Sequence, residues 1–358
     1  MFALDPGYGY HKAVSAKTDL SAGPGNPENQ ELFKRTAPVL FPSVIAPASK
    51  GYGKAAGHTI TLRRPGEINP YAKLFFGQRA INEARAVQMN LSSHKFTEES
   101  SKVLALGAAY LAGVEGQVDM CIGIPISLYK NDTIRREVEK AFREIGCHVS
   151  VDDGRERYIS FQSAYTLPQG VGVVYSMAKL PENGLVGVVC IGFHTTELVL
   201  FEVKDGHVGE IYTNYFKSVP LGVSRTIRLL ADALTIRTGE SLTLPAAMSI
   251  WSKQAFSFRR TEIDVLPLIG QFRKSVATAV CQAVDEAWIE VINRIDHLYF
   301  AGGGATEFTD LLKELEPGSE IVPRPQIAQA IGFYKMLEMI LEEEKSRRLG
   351  LVSAGGSH

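Results

Sequence analysis

Two stretches of this chain follow one order: a short apolar strand, a turn of polar residues and glycine, then a second strand. The first stretch is residues 2–4, Asp5-Pro6-Gly7-Tyr8-Gly9 and residues 11–16. The second is residues 185–191, Gly192-Phe193-His194-Thr195-Thr196 and residues 197–203, closed by an Asp205-Gly206 hairpin turn. The halves share this order more than they share sequence. Further strands are expected over residues 39–46, 59–62, 71–76, 118–124, 158–161 and 297–300. Helices are expected over residues 98–114, 131–145, 170–180, 222–238, 305–315 and 325–349 from apolar positions at helical spacing. Residues 262–295 read as one or two helices broken at Pro267. Asn131 or Asp132 caps the 131–145 helix and Gly146 ends it. Residues 18–35 have loop composition. The chain is therefore α/β in two related halves, with the seam in Pro181-Glu182-Asn183-Gly184.

Length fits this division, since 358 residues correspond to roughly two domains. The net charge of −1 argues against a nucleic-acid binder that works by bulk positive charge. No DNA-reading motif is present. The four cysteines, Cys121, Cys147, Cys190 and Cys281, are far apart and form no CxxC pair, so a thiolate zinc cluster is not expected. Reduced thiols suit a cytoplasmic location. The N-terminus lacks the pattern of a secretory signal. The longest apolar run, residues 184–192, is far short of the roughly 20 residues of a membrane helix.

Three turns carry chemistry. In the first, Gly7 and Gly9 let backbone amides approach an anion, Lys12 adds a point charge, and Asp5 is placed to hold metal-bound water. In the second, the amides and hydroxyls of Gly192, His194, Thr195 and Thr196 face a second phosphate. In the third, Gly302-Gly303-Gly304 ends a strand before a helix, where a phosphate or a ring can pack against backbone. There is no GxxxxGK[ST] and no GxGxxG in the first turn, so neither a Walker-type nor a dinucleotide site is indicated.

These segments, with Gly123-Ile124-Pro125, Pro168-Gln169-Gly170 and the Gly222 turn, resemble in chain order the actin-like ATPases, closest to the bacterial and archaeal plasmid-segregation branch. The resemblance implies the two-lobed fold of actin, Hsp70 and sugar kinases, each lobe a mixed β-sheet flanked by helices. It implies lobes at residues 1–180 and 181–330, a C-terminal helix at 331–349 packing back on the first lobe, and a flexible tail at 350–358. It also implies ATP or ADP as ligand with Mg2+, Asp5 as the magnesium-side carboxylate acting through water, and Lys12 on phosphate. Gln169 orients the attacking water, with Gln162 as second candidate. Gly302, Gly303 and Gly304 lie under the adenosine. The implied function is a cytoplasmic, nucleotide-dependent filament in plasmid or DNA segregation or a bacterial cytoskeleton, with hydrolysis driving disassembly. Self-association and a DNA-binding adaptor protein are the implied partners.

The second turn departs from the family pattern. Where the family has an Asp before the glycine, this chain has Cys190-Ile191-Gly192, and a thiol supplies no hard oxygen ligand. Glu197 replaces a second Asp of that loop. Binding through Asp5, Lys12 and the backbone amides is still expected and an ATPase remains the main reading, with slow or lost hydrolysis as the alternative that Cys190 opens. The same residues admit a monomeric small-molecule kinase of this fold or a nonhydrolysing nucleotide-binding scaffold. Other features read as structural. His11 has no second histidine at metal spacing, and His94 and His148 read as surface. Trp251, Phe256 and Phe258 read as packing of a small subdomain or as a face toward a neighbouring subunit, and Arg259-Arg260 and residues 342–348 as solvated charge.

Overall fold

Strand β1 (Phe2–Pro6) and strand β2 (Tyr10–Ser15) form an antiparallel hairpin that sets Asp5 directly opposite Lys12. The computed structural model describes residues 1–18, 37–48, 56–83 and 87–349. Apart from Thr18, the loop expected over 18–35 lies outside the described residues, as does the tail at 350–358.

The hairpin seeds a sheet with β3 (Val39–Pro42), β4 (Val44–Pro47), β5 (His58–Arg63), β6 (Ala72–Phe76), β7 (Gln88–Met89), β8 (Gly116–Ile124), β9 (Gly146–Val151) and β10 (Arg157–Pro168). The strand order is β3-β2-β1-β8-β10-β9-β5-β6-β4-β7. Strands β1, β8 and β10 run parallel and the remaining pairings are antiparallel. Its helices are α1 (Gln78–Glu83), α2 (Glu99–Leu111), α3 (Ile126–Tyr129), α4 (Asp132–Arg143) and α5 (Val171–Ser176). Helix α2 buries Val103, Leu104 and Leu106 against Phe2, Leu4, Ile122 and Phe161 in one core.

The second half repeats the plan. Strands β11 (Gly184–Ile191) and β12 (Thr196–Lys204) pair antiparallel, with β13 (His207–Ile211) and β14 (Lys217–Val219) on β12. Helices α6 (Ser224–Thr238) and α7 (Leu244–Lys253) precede a small hairpin, β15 (Phe256–Phe258) and β16 (Thr261–Ile263). Then come α8 (Leu266–Ala287), β17 (His297–Ala301), α9 (Gly302–Glu307), α10 (Thr309–Leu315), β18 (Glu320–Ile321) and α11 (Ala328–Arg348). The order β13-β12-β11-β17-β18, with β11, β17 and β18 parallel, repeats β3-β2-β1-β8-β10 strand for strand. The expected two-part fold built on mixed sheets is thus present.

Several local expectations are corrected. Gly146 does not end helix α4: Glu144 is its C-cap and Gly146 opens β9. Asn131 does cap it, its side chain accepting from the Thr133 and Ile134 amides. Pro267 does not break a helix but lies in the first turn of α8, where a missing N–H costs nothing. The helix expected over 170–180 stops at Ser176, and Gly302 to Gly304 lie inside the first turn of α9. Helix α7 has no counterpart among the expected elements. At Gly146 the strand pairing with Ser160 overrides the local helix-ending signal.

Helix α11 returns to the first sheet. Ala330, Ile331, Phe333 and Leu337 pack on Ala3, Val14, Cys121 and Leu167. It crosses α5 with backbone against backbone: a Cβ on Gly332 would lie 1.5 Å from the Gly172 carbonyl oxygen. Gly332→Ala is therefore expected to destabilise the chain by about 3 kcal/mol or more, measured by urea unfolding. Unchanged stability would show that the crossing relaxes freely.

Candidate functional site

The C-terminal ends of β1, β10, β11 and β17 converge on one cleft of about 250 Å³. Crevices at the carboxyl ends of parallel strands are where open α/β sheets place ligands. Asp5, Gly7, Gly9, Lys12, Gln169, Gly192, His194, Thr195, Gly302, Gly303 and Gly304 all line it.

The floor is Asp5, 2% exposed. Lys12 Nζ donates to its Oδ2 at 2.9 Å and Gln169 Nε2 to its Oδ1 at 2.8 Å. Gln169 is placed because β10 runs to Pro168, and its amide donates to the Ile124 carbonyl at 2.8 Å. Gly170 turns the chain with φ +94°, where a Cβ would press on Val199 at 3.0 Å and meet Glu197 at 3.5 Å. Gln162 lies away from the cleft and donates to Asp119, so the second candidate for the water role is not at the site.

The first turn is held from behind. Lys95 Nζ donates to the Pro6 carbonyl at 2.6 Å, Ser43 Oγ to the Gly7 carbonyl at 2.6 Å, and the Ser43 amide to the Gly9 carbonyl at 2.8 Å. In a trans peptide the carbonyl and the next N–H point opposite ways. The Gly7 and Tyr8 amides therefore face away from these donors, an arrangement suited to an anion. Gly7 has no room for a side chain, because a Cβ there would sit 2.8 Å from the Tyr10 carbonyl oxygen, with Lys12 Nζ at 2.7 Å. Burial holds the Lys95 ammonium well below the usual lysine range; Asp5 acts the other way and Lys12 adds to the fall. Lys95 also lies over the Tyr8 ring, 3.8 Å from its centre.

The second turn faces the first. A Cβ on Gly9 would strike the Phe193 ring, and the His194 ring lies 5.1 Å from that of Tyr8. Thr196 and Gly222 do not line the cleft. Thr196 Oγ1 donates to the Leu221 carbonyl at 2.7 Å, and Gly222 packs against the Gly192 and Phe193 carbonyls, so both brace the turn from outside.

Cys190 stands directly opposite Glu197 across the β11–β12 hairpin, as Asp5 stands opposite Lys12. Burial pushes the Cys190 thiol up to about 12, and Asp5 adds to the rise. The Glu197 carboxyl accepts from the Ile126 amide at 3.1 Å and from Ser218 Oγ at 2.9 Å. Burial nevertheless raises it to about 7, against the opposing hydrogen bonds from Thr195, Ile126 and Ser218.

On the third side, Gly302 adopts φ +84° over the Ile191 carbonyl, and Gly304 packs on the Ile191 side chain. A Cβ on Gly303 would meet, among the described residues, the Gln326 side chain at 3.9 Å, and Gly303 lines the cleft. Met248, Trp251 and Glu307 complete this side. Trp251 is thus both subdomain core and cleft wall. Gln329, from the first turn of α11, accepts from the Gly170 amide and lies 3.8 Å from Cys190 Sγ. Lys95, Ser43, Met248 and Gln329 are absent from the motifs because each arrives from a remote element with no local signature, and Glu307 lies at the end of the helix that Gly302 to Gly304 open, just past the motif.

Among the described residues no group of three His, Cys, Asp or Glu is arranged to hold a metal. The cleft offers carboxylates singly, Asp5, Glu197 and Glu307, rather than as a cage, which fits a magnesium that keeps its waters and shares phosphate oxygens. No helix of the described residues is long and apolar enough to cross a membrane.

Residues 3–172 match the family model "Actin like proteins N terminal domain" and residues 188–314 match "Archaeal actin homologue MreB-like, C-terminal". An archaeal actin homolog of Thermoplasma volcanium is 23% identical over 306 residues, 82% of this chain and 91% of that one. Its counterpart in Thermoplasma acidophilum is 22% identical with the same coverage. Among solved structures, the pCBH ParM non-polymerisable quadruple mutant superposes with TM-score 0.77 at 20% identity, over 94% of this chain and 98% of that one. A ParM from a 15-stranded filament of Clostridium botulinum matches equally. The archaeal actin homolog Ta0583 in complex with ADP gives 0.69 at 20% identity, over 94% and 99%. These structural likenesses establish the fold.

The Glu197 carboxyl yields a prediction about stability. It keeps its proton to about pH 7 when folded and loses it near 4.5 otherwise. Between those values the unfolded chain binds fewer protons, so stability falls as pH rises through the window. Glu197→Gln is expected to remove that slope, so its melting temperature should gain on the wild type from about pH 5 to about pH 8. A difference that does not vary with pH would contradict a raised carboxyl.

Proposed function

The chain is a member of the actin-like superfamily, and on that premise we propose that it binds ATP in the cleft and assembles into nucleotide-dependent filaments. Hydrolysis drives their disassembly, in plasmid or DNA segregation or as a bacterial cytoskeleton. The observation that carries the reading is the Gln169–Asp5 hydrogen bond, which joins the connecting turn to the first glycine turn across 164 residues. The filament and the ADP complex among the structural relatives support it by analogy.

In this reading Lys12 and the Gly7 and Tyr8 amides bind the outer phosphates, with the second turn from Gly192 to Thr195 closing on them. Gly302 to Gly304 receive the adenosine, and the open face of Gly303 gives it room. Asp5 is the residue that would hold a magnesium through its waters, and the ion would supply positive charge to the phosphates. Gln169 orients the attacking water, since an amide positions but does not take a proton. Glu197, with a carboxyl near neutrality, is the group able to accept that proton. The four buried free cysteines fit a reducing cytoplasm. A DNA role requires a separate adaptor, since the chain shows no DNA-reading motif.

Cys190 favours a second reading, a scaffold that binds nucleotide without using it. It places a thiol where the family has a carboxylate. Phosphate release from Mg-ATP over a series of protein concentrations separates the readings. A rate per molecule that rises above a threshold concentration is expected. A low, concentration-independent rate would favour a monomeric kinase awaiting its substrate, and no release at any concentration would leave the scaffold.

Two variants test the residues. Lys12→Ala should weaken ATP binding by about 10- to 100-fold, the worth of a charge-assisted contact, by calorimetry. Gln169→Ala should retain binding and lower turnover by about 100-fold. Unaltered affinity in the first, or unaltered turnover in the second, would remove the assigned role.

A further inference from the structure

Behind the first glycine turn lies a polar cluster that no step of the proposed chemistry uses. His11 is 2% exposed, stacks on Phe41 with ring planes 6° apart, and has its Nδ1 2.7 Å from Ser43 Oγ. The same Ser43 Oγ is 2.6 Å from the Gly7 carbonyl. A carbonyl only accepts, so the one hydroxyl proton of Ser43 goes to Gly7. The Ser43 oxygen must then accept from His11, which fixes the imidazole as the Nδ1–H tautomer. Its Nε2 is left as a buried acceptor, and it has no partner among the described residues.

A second buried atom without a partner among them is Ser100 Oγ, on α2. His11, Ser43, Lys95 and Ser100 all line one small cavity of about 10 Å³. That is room for a single water, and a water is retained where polar partners surround it. Burial lowers the His11 imidazole well below its usual range, with Lys95 and Lys12 acting the same way, in keeping with a neutral ring.

We propose that His11, Ser43 and one internal water between His11 Nε2 and Ser100 Oγ form a relay that positions the Gly7 carbonyl and so aims the Tyr8 amide at the bound anion. His11 and Ser43 are positioning residues: neither lies where substrate would touch it. The water donates to Nε2 and satisfies the Ser100 hydroxyl. The ring passes the constraint to Ser43, and Ser43 passes it to the turn. The anion-binding part rests on the nucleotide reading above; the tautomer and the water do not.

The full chain labelled with ¹⁵N-histidine, without nucleotide, decides the first part by NMR. His11, assigned as the signal lost in His11→Asn, should show a protonated Nδ1 and an unprotonated Nε2. A water resonance should cross-relax with its ring proton. An Nε2–H tautomer, or no such water contact, overturns the relay. The second part is read from ADP affinity by calorimetry. Ser43→Ala should weaken ADP binding about five-fold or more, and Ser43→Thr, which keeps the hydroxyl, should restore it. His11→Asn keeps a donor in the Nδ1 position and should bind ADP as the wild type does, whereas His11→Phe keeps the stack on Phe41, loses the donor and should match Ser43→Ala. Unchanged affinity in both Ser43→Ala and His11→Phe overturns the positioning role. If Ser43→Ala does not fold, the two histidine variants and the tautomer decide. A wild type that binds no ADP would instead overturn the nucleotide reading and with it this role, while the NMR result still decides the relay.

Discussion

A buried carboxylate organises this molecule. Asp5 has almost no contact with solvent, and an ionised group in that setting is tolerated only with partners on its oxygens. Lys12 satisfies one oxygen from the neighbouring strand, and Gln169 satisfies the other from the end of β10. The first partner needs only a hairpin in register. The second needs β10 to run parallel beside β8 and β8 beside β1, so that Pro168-Gln169-Gly170 emerges at the same edge of the sheet as Asp5. The five-strand arrangement of the first half and the position of the cleft are thus linked through one side chain.

The second half applies the same hairpin to different chemistry. Asp5 and Lys12 are cross-strand partners in the first; Cys190 and Glu197 are cross-strand partners in the second. The carboxylate has changed strands, from the outgoing to the returning one, and lost its cation. In place of a lysine it has the Ile126 amide and the Ser218 hydroxyl. That exchange explains why it lies near neutrality: hydrogen bonds from neutral donors offset less of the desolvation than a charge does. The thiol left at position 190 is apolar enough to pack in the core of β11 while lying near Gln329, which ties the last helix to the Gly170 turn.

Three features were legible in the residue pattern alone because their causes are local. Alternating strand and glycine turn located both hairpins, Asn131 marked the start of α4, and Asp205-Gly206 marked the β12–β13 turn. The misreadings share a cause as well. Gly146 and Pro267 carry strong local signals for ending or breaking a helix, yet Gly146 pairs with Ser160 in the sheet and Pro267 falls where a first turn needs no donor. Trp251 read as subdomain packing or as a face toward a neighbouring subunit, and it is core on one side and cleft wall on the other. Thr196 and Gly222 sit in the right segments, but their groups point at the chain that supports the turn.

The sequence by itself determined the two α/β halves and the glycine-rich segments that carry Asp5, Lys12, Gly192 and Gly302, since strand alternation and the need for glycine in a tight turn act over a few residues; Gln169 was singled out only by a family resemblance. Only the tertiary structure decided which groups hold those turns in shape. Lys95, Ser43 and Gln329 reach the site from segments 36 to 159 residues away from their partners. Their roles come from buried backbone carbonyls and amides that must find a partner, and such a demand leaves no mark in the pattern of neighbouring residues.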